Sequence, residues 1–199
     1  MINNKSLPLP EINRKMSTQH SYFLKGLQVL AWVLFIGLCV EAGGIIVNAI
    51  ISLFFHPDAS SRFWGGLNLY GLYLFNQSHF VTLVILLSLV AVLKSILFYL
   101  IVYLFHQKKV DFVFPFNEML GKYLFNLSYL AFGIGFFSYW GSQFAKKTLL
   151  ESNYVLANSL QDLNLQGADI WIFMGFILII FALIFKKGLE IQKENELTI

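Results

Sequence analysis

Residues 80–105, FVTLVILLSLVAVLKSILFYLIVYLF, form an almost wholly apolar run broken near its middle by one lysine, Lys94. At ~1.5 Å per residue a helix of this length is ~39 Å long, enough to cross a bilayer core of ~30 Å with tilt. The run is predicted to be a membrane helix. A charge near the bilayer centre costs roughly 2.5–3.5 kcal/mol on insertion scales, so Lys94 demands a partner. The sequence offers Glu41, near the middle of a second apolar run at residues 27–55. Counted from the end that two antiparallel runs share, Glu41 lies 14 residues in and Lys94 lies 11 residues in. That offset is ~5 Å, about one helical turn, and a lysine stem covers it. Glu41 and Lys94 are expected to form an intramembrane charge pair, although such a pair is not automatically more stable than two apolar residues.

Composition agrees with this start. Of 199 residues 57% are hydrophobic, 17% aromatic and 13% charged, whereas about a quarter are charged in soluble domains. The expected class is all-α: an integral membrane four-helix bundle, one domain over residues 1–199, with spans at about 27–55, 80–105, 119–144 and 168–185. A helical tail follows at 186–199. Residues 1–26 are polar, and the apolar run after them is too long for a signal-peptide core, so no cleavable leader is expected. Cys39, the single cysteine, can form no intrachain disulfide and reads as a small core residue. The net charge of +3 implies no direct contact with nucleic acid.

Within the first run, Gly37, Glu41, Gly44 and Asn48 follow at spacings of four, three and four, one face of a helix that must meet protein. Residues 17–25 fit either a segment at the headgroups or an unstructured tail. Residues 56–79 combine Pro57, paired glycines and dense aromatics, which suits an interfacial loop or a short amphipathic piece. His56, Asp58 and His79 fall at facing ends of two spans, but their spacing matches no ligand set; neither a metal nor another cofactor is expected. A basic connection follows, with Asn117 a plausible N-cap and Glu118 in the first turn of the next helix. In the third run Gly121, Ser128, Gly135 and Ser142 recur every seven residues, with Leu124, Ala131 and Ser138 interleaved. This small-residue seam allows close helix packing. Residues 145–167 are read as a second loop with a helical turn or two. The fourth apolar run is short, ~24 Å, and is bounded by Lys186 and Lys187.

Four spans place both termini on one side. Lys5, Arg14, Lys15, Lys25, Lys108, Lys109, Lys122, Lys186, Lys187 and Lys193 share that side, and Arg62, Lys146 and Lys147 face the other. With Lys94 these account for all 14 basic residues. Ten against three puts both termini in the cytoplasm, which makes this a multi-pass protein of the cytoplasmic membrane.

The ending GLEIQKENELTI, after ADIWIFMGFILIIFALIFKK, resembles the closing signature of the YoaS-like family of bacterial four-helix membrane proteins. The matching positions are Lys187, Gly188, Leu189, Gln192, Glu194, Asn195, Glu196, Leu197, Thr198 and Ile199. The entry YFLKGLQVL and the FPFNE turn are also similar. Glu196 departs from the more usual aspartate. Members are often encoded beside a very small helix-turn-helix regulator of the Xre type, and no catalytic residues come with the family. The resemblance implies a membrane partner that holds or releases such a regulator. Gly188, Leu189, Gln192, Glu194, Asn195, Leu197, Thr198 and Ile199 would then be its docking surface.

The leading expectation is a non-enzymatic signalling or regulatory partner in the bilayer, with a homo-oligomer left open. The alternative is an ion or proton pathway, or a small transporter subunit, built on Glu41 and Lys94. No HExxH, GxSxG, paired aspartates or Cys/His grouping lies on the spans, so no enzyme is expected.

Overall fold

A computed structural model of the chain describes residues 11–106, 118–152 and 165–196. Helix α1 (Glu11–Ile50) is continuous, so the polar segment at 17–25 is helical rather than a tail. Pro10, which has no amide hydrogen to give, stands just before it. The helix closes in a wider turn at Ile51–Phe55, where the His56 N–H donates to the Ile51 carbonyl at 2.8 Å. Tight turns at Pro57–Arg62 and Trp64–Gly66 follow, then a short helix α2 (Tyr70–Phe75). Helices α3 (Gln77–His106), α4 (Glu118–Ser152) and α5 (Ala168–Glu196) complete the chain. The basic connection with Asn117, most of the second loop, and Leu197, Thr198 and Ile199 lie outside the described residues.

Among the described residues three helices are long and apolar enough to cross a membrane: Tyr22–Phe55, Gln77–His106 and Ala168–Asn195. Helix α4 is equally long, at 35 residues. Its uncharged stretch at 123–145 is built from Tyr, Ser, Gly and Asn among the Phe and Leu, and is therefore less apolar. It also runs further than expected, to Ser152, which shortens the loop before α5.

The long helices alternate in direction and pack in chain order. Helix α3 lies between α1 and α4, and α4 packs most extensively against α5. Among the described residues α1 has at most slight contact with α4 or α5. Ring pairs mark the register: Phe35 with Tyr99 at 5.9 Å, His79 with Phe144 at 5.5 Å, and Tyr103 with Tyr123 at 5.9 Å. The middle position of α3 explains its buried row Phe80, Leu83, Val84, Leu87, Val90 and Ala91. The outer helices instead show apolar side chains outward, among them Val29, Val33, Ile36 and Val40 on α1 and Phe173, Phe176, Ile180 and Ile184 on α5. In hydrocarbon such faces need no protein partner, since lipid tails are as apolar as leucine. Cys39, expected in the core, is exposed on α1.

One end of the assembly holds the start of α1 and the finish of α5 and is called here the terminal end. The opposite, distal end is capped by the α1–α3 connection. Gly65 and Gly66 adopt φ of 75° and 80°, the left-handed conformation that glycine enters without strain. Their turn is closed by the Phe63 N–H donating to Leu67 O at 2.8 Å. It buries Phe63 edge-on to Phe80 at 6.4 Å, and Tyr73 meets the same ring at 5.3 Å. The Asn76 side-chain oxygen accepts from the N–H groups of Ser78 (2.9 Å) and His79 (3.3 Å), an N-cap for α3.

Candidate functional site

Glu41 on α1 and Lys94 on α3 meet where the two helices cross, and their charges interact. Both line one small cavity with Ile45, Leu87, Val90, Ala91 and Leu165. Its volume is about 10 Å³, room for about one water and too little for a hydrated ion or a substrate. Apart from the pair, every lining side chain is aliphatic. The arrangement is chemically suited to holding one opposite charge against another.

Two residues that the sequence did not single out approach this pair from the distal end. The Trp64 ring packs directly on Gly44, three residues along α1 from Glu41, and fills the place a methyl group there would take. The Trp-Gly-Gly run was the available signal, because two left-handed glycines can turn the preceding indole back along the helix. Leu165, 2% exposed, enters from the α4–α5 connection and lies 3.0 Å from where a Cβ on Gly141 would stand. Nothing in its polar surroundings marks it out. On the same α1 face, the Asn48 amide donates to the Gly44 carbonyl at 2.9 Å, which satisfies it within its own helix. Gly37 has open space around it, with no atom within 4 Å of an added Cβ.

The small residues of α4 divide similarly. The Ser128 hydroxyl donates to the Gly175 carbonyl of α5 at 3.0 Å, fully buried. A Cβ on Gly135 would come 2.6 Å from Ile172 and 3.0 Å from the Ala168 carbonyl. Ser138 is buried with a hydroxyl that has no partner among the described residues, and Ser142 is half-buried. Gly121 is buried, yet an added Cβ would meet nothing within 4 Å, because it faces a pocket. Because Ala168 stands opposite Gly135, α5 begins some 17 residues short of the end of α4 at Ser152. Residues 165–167, which lead into α5, therefore lie level with the middle of α4, which is how Leu165 comes to the charge pair.

Comparison with protein-family models, curated proteins and solved structures gave no match to this chain. The resemblance to the YoaS-like family thus rests on the residues quoted for it above.

At the terminal end α5 stays helical past its apolar stretch to Glu196. Lys187 and Glu190 pair at 3.0 Å, and Glu118 and Lys122 on α4 pair at 2.9 Å, both in exposed positions. The hydrogen bond from Lys122, helped by the charges of Lys122 and Lys193, holds the Glu118 carboxyl below its ordinary ionisation range. Gly188, Leu189 and Gln192 are half-buried, whereas Glu194 and Asn195 are exposed. Among the described residues no three His, Cys, Asp or Glu side chains form a group that could hold a metal.

Proposed function

We propose that the chain is a four-span protein of the cytoplasmic membrane with both termini in the cytoplasm. In this proposal it acts, without catalysis, as the membrane partner of a small helix-turn-helix regulator. The observation that carries it is the unbroken course of α5 from its apolar stretch into the polar segment ending at Glu196. A continuous helix seated on α4 gives that polar segment a fixed position at the surface, as a docking element requires. The ten-to-three distribution of basic residues supports a cytoplasmic position. The similarity of the ending to the YoaS-like family supports the class of partner. Helix α4 is the fourth span in this proposal, since it packs along α3 and α5 and is uncharged over residues 123–145.

Glu41 and Lys94 serve as a lock between α1 and α3. The cavity of about 10 Å³ beside them favours this over an ion pathway, which needs a continuous polar route. The deciding experiment is co-purification of a small DNA-binding protein encoded next to the gene. The full-length chain should retain it and a chain truncated after Lys187 should not. Absence of such a neighbour, or equal retention by both chains, overturns the proposal. Glu41-dependent ion flux in liposomes from a normally folded protein would favour the pathway instead.

A further inference from the structure

A second pocket lies at the terminal end between α4 and α5, with a volume of about 180 Å³. Glu118, Gly121, Lys122 and Phe125 line it from α4, and Phe185, Lys186 and Leu189 from α5. The pocket exists because Gly121 has no side chain and, among the described residues, nothing lies within 4 Å of where its Cβ would stand. It sits where the apolar stretch of α5 ends and its lysines begin, the level at which phospholipid headgroups meet acyl chains. Its floor, Phe125, Phe185 and Leu189, is apolar. Below it the outward face of α5 continues with the exposed apolar residues Phe181 and Ile184.

The charges are those of an anion site. Two lysines and one glutamate sum to +1, and Glu118 already accepts a hydrogen bond from Lys122. Lys186 makes no salt bridge or hydrogen bond among the described residues; its charge also acts on Glu190, whose hydrogen bond is with Lys187. At about 180 Å³, against about 10 Å³ beside the charge pair, the pocket has room for a phosphodiester headgroup and the first carbons below it.

We propose that this pocket binds one anionic phospholipid, its phosphate held by Lys186 and Lys122 and its acyl chain running over Phe185 and along α5. Basic pockets between membrane helices at the cytoplasmic surface recognise anionic headgroups in this way. The site goes beyond the regulator proposal and requires only that Lys186 lie at a membrane surface.

The test uses the full chain taken up from mixed phosphatidylglycerol and phosphatidylcholine vesicles, with retained lipid counted by native mass spectrometry and no protein partner present. Its failure would therefore leave the regulator proposal standing. One phosphatidylglycerol should be retained in preference to phosphatidylcholine. Lys186→Glu should lower that retention about five-fold or more, which corresponds to the ~1 kcal/mol typical of one lysine at an anionic surface. Gly121→Leu should lower it comparably while leaving every charge in place, because the leucine fills the pocket. Both positions are open, and helix content checks that each variant folds; Lys186→Gln and Gly121→Val serve if either does not. Lys146→Glu, near the distal end of α4, should change nothing. Equal retention of the two lipids overturns the proposal. Undiminished retention in Gly121→Leu also overturns it, since the lipid would then be held by surface attraction alone. Undiminished retention in Lys186→Glu overturns it as well, since no headgroup would then be recognised.

Discussion

The indole of Trp64 lies against Gly44 so closely that the backbone of α1 is itself one wall of its seat. Gly44→Ala must therefore displace the indole, at about 1–3 kcal/mol, the usual range for overpacking. Gly37→Ala, on the same helix in open space, should be neutral or stabilising by up to ~1 kcal/mol, since alanine favours a helix over glycine. Thermal unfolding in detergent of both variants measures the contrast. Equal effects would mean that Trp64 does not occupy that seat.

Glu41→Gln and Lys94→Met should each be strongly destabilising, by about 3–5 kcal/mol, because each strands the other charge. Changing both to leucine should restore most of the loss or exceed the parent. The three variants, compared by unfolding in one detergent, test the lock: a doubly changed protein no more stable than the single variants would show that mutual neutralisation is not what the pair contributes.

Ser128→Ala removes one hydrogen bond between α4 and α5 and should cost about 0.6 kcal/mol, the average for such bonds inside membranes. Gly135→Leu should cost considerably more, because the new side chain would collide with Ile172 and with backbone at Ala168. Differential unfolding of the pair reads this out. A Ser128 effect as large as the Gly135 effect would show that the hydrogen bond, and not closeness of approach, holds the helices together.

Two groups, exposed Glu118 and half-buried Tyr70, give opposite pH responses. Glu118 ionises below its ordinary range because of Lys122. The stabilisation is present above that ordinary range and is lost as pH falls through the lowered value. Tyr70, hydrogen-bonded to Asp58 and facing its charge, has its phenol pushed up. Its contribution is present below the ordinary tyrosine range and is lost as pH rises through the raised value. Carboxyl and ring resonances followed by NMR titration should show both shifts. Lys122→Ala should return Glu118, and Asp58→Asn should return Tyr70, to ordinary behaviour.

Three of the long helices, α1, α3 and α5, were legible because each carries a long apolar run, and a lysine in such a run directed attention to an acid at matching depth. The distal cap was not. Its stability comes from Phe63 and Tyr73 folding back onto Phe80, with Leu67 and Leu69 buried as well, contacts set by tertiary packing in a stretch with no periodicity. Leu165 was hidden for a similar reason: one leucine among polar neighbours acquires its role only when α5 starts level with Gly135. The glycines were misleading in a different way. Gly37 and Gly44 flank Glu41 on one helix face, four residues before it and three after, yet Gly44 meets an aromatic ring and Gly37 meets open space, a difference that depends on how far the partner element reaches. Cys39 read as core only because burial was inferred from hydrophobicity, which in a membrane points outward as readily as inward.

The packing of α1, α3, α4 and α5 in the order of the chain bears on how the protein is made. Each long helix after α1 packs against the one synthesised just before it, so each has a partner to dock on as soon as it is inserted. Contacts between sequence neighbours also close short loops, which keeps the entropy of assembly small. Even the charge pair is complete once α3 has been inserted: Lys94 meets Glu41 before α4 and α5 leave the ribosome. The most costly group in the membrane is thus left alone for the shortest part of biosynthesis.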